Sequence, residues 1–171
     1  MATIREAESV AAIVRDAGGR IVGRTRLQKV AFILEAAGLG SGFRFKYKHY
    51  GPYSEELSEA AGIAGILDFL REVEQPASWG GTYSIYTTAT SRDSHASNSR
   101  VQIAEESSKA DAVELELAAT ALFLACEGMQ DPWRETARRK PDKADSGRLD
   151  RAQKLYERLR RIDAPRPLPC L

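Results

Sequence analysis

Apolar positions change their spacing twice within the first 70 residues of this chain. Over residues 3–17, Ala7, Val10, Ala11 and Val14 recur at helical intervals while Arg5, Glu8 and Arg15 fall off the stripe. This pattern predicts an amphipathic helix ended by Gly18-Gly19, which supply the positive φ of a C-terminal cap. Thr25-Arg26-Leu27-Gln28 has the form of a capping box, opening a second helix with Leu27, Val30, Ala31 and Leu34 on its apolar side and Gly38 as its stop. The period then falls to two. Phe43, Phe45 and Tyr47 alternate with Arg44, Lys46 and Lys48, predicting a strand with aromatics on one face and cations on the other. Tyr50-Gly51-Pro52-Tyr53 reads as a turn, because Pro fixes φ and lacks a donor. Ser54 caps a third helix with Glu55 and Glu56 in its first turn and a stripe of Leu57, Ala60, Ala61, Ala64 and Leu67.

Phe69–Glu74 and Thr82–Thr88 predict two strands around the loop Gln75–Gly81, with Tyr83, Ile85 and Thr87 sharing a face. Helix, helix, strand, helix and hairpin is the order of a winged helix-turn-helix. Thr90–Arg100 has no periodicity and predicts a mobile loop, and Val101–Ile103 fits a short third strand. The C-terminal half is helical. After a capping signal at Ser108–Asp111, Val113, Leu117, Leu122 and the nearly all-apolar Ala118–Ala125 predict a central helix. Pro132 opens a short helix through Arg139, and Ser146 starts the last, with Leu149, Ala152, Leu155, Leu159 and Ile162 facing inward. Ala164–Pro169 cannot extend that helix and predicts a loose tail. The expected fold is α+β, mainly helical: a winged-helix-like N-terminal half with a small β-hairpin wing, packed against three C-terminal helices. It forms one domain over residues 1–163, with a mobile loop at 90–100 and a Pro-rich tail at 164–171.

Composition changes this picture little: 171 residues, 43% hydrophobic and 29% charged, are those of an ordinary globular protein able to bury a sizeable core. The net charge of +1 announces neither nucleic acid nor membrane, but charge is segregated along the chain. Residues 20–50 carry seven Arg/Lys against one acid, residues 51–75 six acids against Arg71, and residues 129–161 eleven bases against six acids. Cys126 and Cys170 form no metal spacing, and Cys126 reads as a small core residue in its apolar run. The N-terminus lacks the basic and apolar regions of a signal peptide, and no apolar run has the length to span a bilayer, so a cytoplasmic protein is expected.

Gly23-Arg24-Thr25-Arg26-Leu27-Gln28-Lys29, the aromatic strand, and Tyr50-Gly51-Pro52-Tyr53-Ser54 with Leu57 resemble the YwgA-type family of bacterial and archaeal proteins. More distantly the chain is similar to the SocA-like Panacea antitoxin domains, which have their own KLQK helix and YGP turn. Glu114–Thr120 and the Lys140-Pro141 step match the same pattern, so that the likeness is spread over roughly residues 3–162 outside the loop. The resemblance implies a winged-helix-like fold and no catalytic residue. It implies relatives that neutralise toxins or present them to a protease as adaptors, and related domains in antiphage and mobile-element settings.

The candidate sites follow from charge and aromatic placement. The third helix leads with Glu55, Glu56 and Glu59, which would face phosphate, so it is a poor conventional recognition helix. Arg24, Arg26, Lys29, Arg44, Lys46 and Lys48 could bind nucleic acid or an acidic protein surface, or form a solvated face balanced by those three acids. Tyr47, Tyr50 and Tyr53 beside cations suit a protein interface, or pack the turn on the C-terminal helices. The expected contact residues for a protein partner are Arg44, Lys46, Lys48, Tyr50 and Tyr53. His49 and His95 are read as structural or exposed, and Asp142, Asp145 and Asp150 as capping and solvation. No catalytic, cofactor or metal motif is present, which leaves a protein-binding module first, a DNA-binding regulator second and an enzyme least supported.

Overall fold

Thr3 and Glu6 open the first helix with a reciprocal capping box: Thr3 Oγ1 accepts from the Glu6 amide at 3.2 Å, and Glu6 Oε2 accepts from the Thr3 amide. The computed structural model describes residues 1–89 and 98–171. In chain order it contains α1 (Ile4–Asp16), β1 (Arg20–Val22), α2 (Arg24–Ala36), β2 (Lys46–Lys48), β3 (Gly51–Tyr53) and α3 (Glu55–Ile66). There follow β4 (Arg71–Pro76), β5 (Thr82–Thr87), α4 (Asn98–Lys109), α5 (Ala112–Cys126), α6 (Pro132–Arg139), α7 (Pro141–Ala144) and α8 (Arg148–Arg160). The fold is mixed α+β and mainly helical, with eight helices and two small sheets among the described residues, consistent with a winged-helix-like arrangement.

The three-stranded sheet is antiparallel in the order β1-β5-β4, with Ile21 opposite Tyr86 and Val73 opposite Ile85. Its third strand is therefore Arg20–Val22, not the expected Val101–Ile103, which lies inside α4. The Val-Gln-Ile pattern fits either period; Ile103, Ala104 and Ser107 are buried at helical spacing, and that decides it. On β5 the buried side chains are Ser84 and Tyr86, opposite the face of Tyr83, Ile85 and Thr87. The second sheet is the hairpin β2–β3, pairing Lys46 with Tyr53 and Lys48 with Gly51. The expected strand Phe43–Lys48 is thus paired only over its last three residues, but its alternation survives: Phe43 is buried while Arg44, Lys46 and Lys48 are exposed.

Two helices are buried on every side, α2 over Leu27–Leu34 and α5 over Leu115–Leu122. The predicted centrality of α5 holds, whereas α2 was expected to be amphipathic. Its polar residues Gln28 and Lys29 are buried because they serve the neighbouring turn. The capping box expected between Thr25 and Gln28 is absent: the N-cap is Gly23, at φ 100°, which has no side chain to bond, Thr25 lies inside the helix, and the Gln28 amide is engaged elsewhere. Asp111 caps α5 by accepting from the amides of Val113 and Glu114, and Ser54 caps α3 by accepting from Leu57.

Three C-terminal expectations are corrected. α8 starts at Arg148 rather than Ser146, because Ser146 and Gly147 are both left-handed, at φ 58° and 74°. Cys126 is exposed at the end of α5, where the buried face has already turned inward at Leu122 and Leu124. The tail is pinned rather than loose. Leu168 is buried in the core, the Tyr156 hydroxyl donates to the Pro169 carbonyl at 2.5 Å, and the Arg166 amide donates to the Ala37 carbonyl. Proline ends a helix but keeps its acceptor, and one leucine supplies the anchor. The predicted loop Thr90–Arg100, including His95, lies outside the described residues except for 98–100, which open α4. Among the described residues, no helix is long and apolar enough to cross a membrane.

Candidate binding site

The Leu27-Gln28-Lys29 and Tyr50–Ser54 motifs meet as two halves of one unit. Gln28 Nε2 donates to the Ser54 carbonyl at 2.9 Å and its Oε1 accepts from the Ser54 amide at 2.8 Å, so the side chain pairs with the backbone as a neighbouring strand does. Lys29 Nζ donates to the Pro52 carbonyl at 3.0 Å. Gly51 sits at φ 90°, and a Cβ there would lie 2.7 Å from Thr120 Oγ1 on α5. The turn and β3 therefore lie against α2 and α5, with the Pro52 carbonyl and both backbone groups of Ser54 held by α2 side chains. The two motifs are paired for a structural reason: the buried polar residues Gln28 and Lys29 bond the backbone of Ser54 and Pro52 at the end of the short β2–β3 ladder.

Behind this turn stands a buried charge cluster. Glu116, 8% exposed on α5, accepts from Lys140 at 2.8 Å and from Lys143 at 2.8 and 2.7 Å. Lys140 also donates to the His49 carbonyl at 3.0 Å, which ties the step between α6 and α7 to the hairpin. Three ammonium groups, counting Lys29, thus share the neighbourhood of one carboxylate. Lys29 is 2% exposed, and burial pushes its pKa down from 10.5 to about 8, with Glu116 opposing and Lys140 and Lys143 reinforcing the shift. Between pH 8 and 10.5 this lysine binds fewer protons folded than unfolded, so its contribution to stability rises with pH across that window. Urea denaturation at pH 8 and pH 10 should show the wild-type chain gaining about 2 kcal/mol relative to Lys29→Met, in which the increment disappears.

The six residues expected as a cationic surface are mostly engaged. Arg26 is half-buried and donates to the carbonyls of Val22, Ser108 and Ala110, which makes it a structural clamp between β1, α2 and α4. Arg24 pairs with Glu72 at 3.3 Å and Glu74 at 2.7 Å across to β4. Arg44 pairs with Glu56, and Lys48 pairs with Glu55 while its ammonium stands 4.5 Å from the Tyr53 ring centroid. Among the described residues Lys46 is the one member of the set that is exposed without an acidic partner. The acids of α3 thus balance the strand cations, as one of the sequence alternatives had it. Arg44 keeps its guanidinium, and Glu56 its carboxylate, charged through this pair, but both are at the surface and the pair contributes little to stability.

The two basic regions of the sequence join at one point. Arg139 stands over the Tyr47 ring at 4.9 Å and Lys143 over the Tyr50 ring at 4.8 Å. Tyr47 also packs on Phe123 of α5, so it belongs partly to the core. Tyr50 does not: it is 52% exposed, with the His49 ring at its edge.

Around Tyr50 open two cavities. The larger, of about 630 Å³, lies between α2, the hairpin and α3, and is walled by Leu27, Gln28, Lys29, Tyr53, Leu57 and Ala61 with Glu72 and Tyr86 from the sheet. The second, of about 380 Å³, runs between the β4–β5 loop and the start of α5, and is walled by Trp79, Tyr83, Val113, Leu115, Glu116 and Lys143. Both include Arg24, Thr25, Lys29 and Tyr50 in their walls. Trp79 is 74% and Tyr83 37% exposed, so three aromatic rings surround the second opening. Trp79 and Tyr83 were missed from the sequence because the β4–β5 loop has no motif, and only the fold brings it beside Tyr50.

Comparison with protein-family models, with curated proteins and with solved structures finds no match to this chain.

Proposed function

We propose that this chain is a protein-binding module whose contact face is the β2–β3 hairpin and the rim of the adjoining cavities. The observation that carries the reading is the exposed aromatic trio Tyr50, Trp79 and Tyr83, set around an opening on a rigidly tethered turn. Exposed aromatic rings next to arginine and lysine are the usual anchors of protein interfaces, and a pre-organised turn loses little entropy on binding. Of the residues expected to make contact, Tyr50 and Lys46 are the freest, Tyr53 lines the larger cavity, and Arg44 and Lys48 sit in exposed ion pairs. The partner class we propose, a toxin or another component of a defence system with this chain as antitoxin or adaptor, rests on the family resemblance of the Leu27-Gln28-Lys29 and Tyr50–Ser54 motifs.

A DNA-binding regulator is the weaker reading, because the cationic set is largely occupied by Glu55, Glu56, Glu72 and Glu74 or by backbone carbonyls. Co-expression with the products of neighbouring genes, followed by affinity capture, tests the proposal. Tyr50→Ala with Trp79→Ala should reduce capture at least tenfold while leaving the thermal melt within a few degrees of wild type. Capture of no partner, alongside a salt-sensitive shift of promoter DNA that Lys46→Gln weakens, would favour DNA.

A further inference from the structure

The second cavity combines an aromatic rim with a floor that has too many cations for its acids. Arg24, Arg26, Lys29 and Lys143 line it with Glu116; Arg24 is paired with Glu72 and Glu74 and Arg26 is held by backbone carbonyls, which leaves Lys29 beside a single carboxylate that Lys140 and Lys143 already share. Glu116 already accepts from Lys140 and Lys143 and lies in no ion pair with Lys29, whose ammonium makes one hydrogen bond, to the Pro52 carbonyl. A buried lysine with two protons to spare is costly unless an anion reaches it. The first turn of α2 adds to the imbalance. It contains no acid, its N-cap is a glycine with no side chain to bond the first amides, and its residues Arg24 and Thr25 line both cavities.

From this charge imbalance we propose that the cavity receives a carboxylate from an acidic segment of the protein partner, with a neighbouring apolar side chain packed on Tyr50, Trp79 and Tyr83. The carboxylate meets Lys29, with Arg24 reaching it from its exposed pairs with Glu72 and Glu74, and the apolar neighbour takes the aromatic rim and Val113. This recognition rests on the protein-binding reading of the preceding section and narrows it to an acidic-aromatic or acidic-aliphatic motif. An anion beside Lys29 offsets the burial that holds its pKa near 8, so binding draws a proton onto the protein at neutral to mildly alkaline pH.

The test uses the full chain, isotopically labelled, titrated with the peptide acetyl-Leu-Asp-Phe-Asp-amide and with its Asn counterpart acetyl-Leu-Asn-Phe-Asn-amide. The acidic peptide should shift the amides of Arg24, Thr25, Tyr50 and Val113 and raise the Lys29 pKa above 8, and the Asn peptide should bind at least tenfold more weakly. Arg24→Gln and Trp79→Ala lie at exposed positions, so each should keep the fold by circular dichroism while weakening the acidic peptide about tenfold. Equal binding of the two peptides, no binding of either, or shifts elsewhere on the surface overturn the inference. So does displacement of the acidic peptide from these residues by inorganic phosphate or duplex DNA at lower concentration. The parent reading fails separately: if affinity capture yields a partner that Arg24→Gln leaves bound, the module stands and the carboxylate site falls.

Discussion

Glu116→Leu should destabilise the chain by about 3–5 kcal/mol, because it strands the Lys140 ammonium in a buried site with only the His49 carbonyl for company. Among the described residues the carboxylate is the single anion paired with Lys140 and Lys143, and the Lys140 ammonium it leaves behind cannot reach water without breaking the contact between the α6–α7 step and the hairpin. Removing both charges gives the opposite expectation. In Glu116→Leu with Lys140→Met the buried site becomes apolar, and most of the loss should be recovered, since replacing a whole buried pair is often close to neutral. Urea unfolding of the two single variants and the double variant provides the coupling energy. A double variant as unstable as Glu116→Leu would mean that the cluster positions the hairpin rather than compensating charge. Loss of Glu116 should also depress Lys29 further below its wild-type value near 8, because the Glu116 field is what opposes burial there.

Gly51→Ala should cost about 2–3 kcal/mol through two separable causes. The residue holds φ at 90°, which side chains rarely adopt, and the new methyl would fall 2.7 Å from Thr120 Oγ1. Thr120 is fully buried and its hydroxyl finds no partner, so Thr120→Ala by itself should be mild. In the Gly51→Ala background the same change should relieve the contact and recover the steric part, leaving the backbone part of about 1 kcal/mol or more. Equal losses with threonine or alanine at position 120 would show that the conformation alone makes glycine necessary.

These predictions fall on residues that sequence patterning handled unevenly. The chain reversal and the Ser54 cap were legible locally, but the turn falls at His49-Tyr50 and the expected turn residues Gly51–Tyr53 form strand β3, because an edge strand of a two-stranded hairpin tolerates Pro52. Glu116 was not legible: one acid in an otherwise apolar helix has no local partner, and its lysines lie 24 and 27 residues away. The same distance effect misdirected the reading of Gln28. Local pattern assigned it to a capping box three residues back, whereas its amide bonds Ser54, 26 residues on. Arg26 was counted among surface cations, yet its guanidinium reaches the Ala110 carbonyl 84 residues away. Basic residues read as a patch from composition became clamps once their partners were known.

The candidate site divides in the same way. Tyr50 and Tyr53 were visible as aromatics at a turn, and the alternation of Phe43–Lys48 placed cations outward and aromatics inward along the segment leading to it. Trp79 carried no signal, since an aromatic in a hairpin loop has no periodicity to break, and Tyr83 was read only as one face of a strand. Helix spacing, the Ser54 cap and the period-two alternation are local properties, set by backbone geometry over a few residues, and the sequence by itself determined them. Which cations remain available, which carboxylate is shared by two lysines, and where three exposed rings converge depend on contacts made across distant segments. Only the tertiary structure decided these, because burial and ion pairing are properties of neighbours in space.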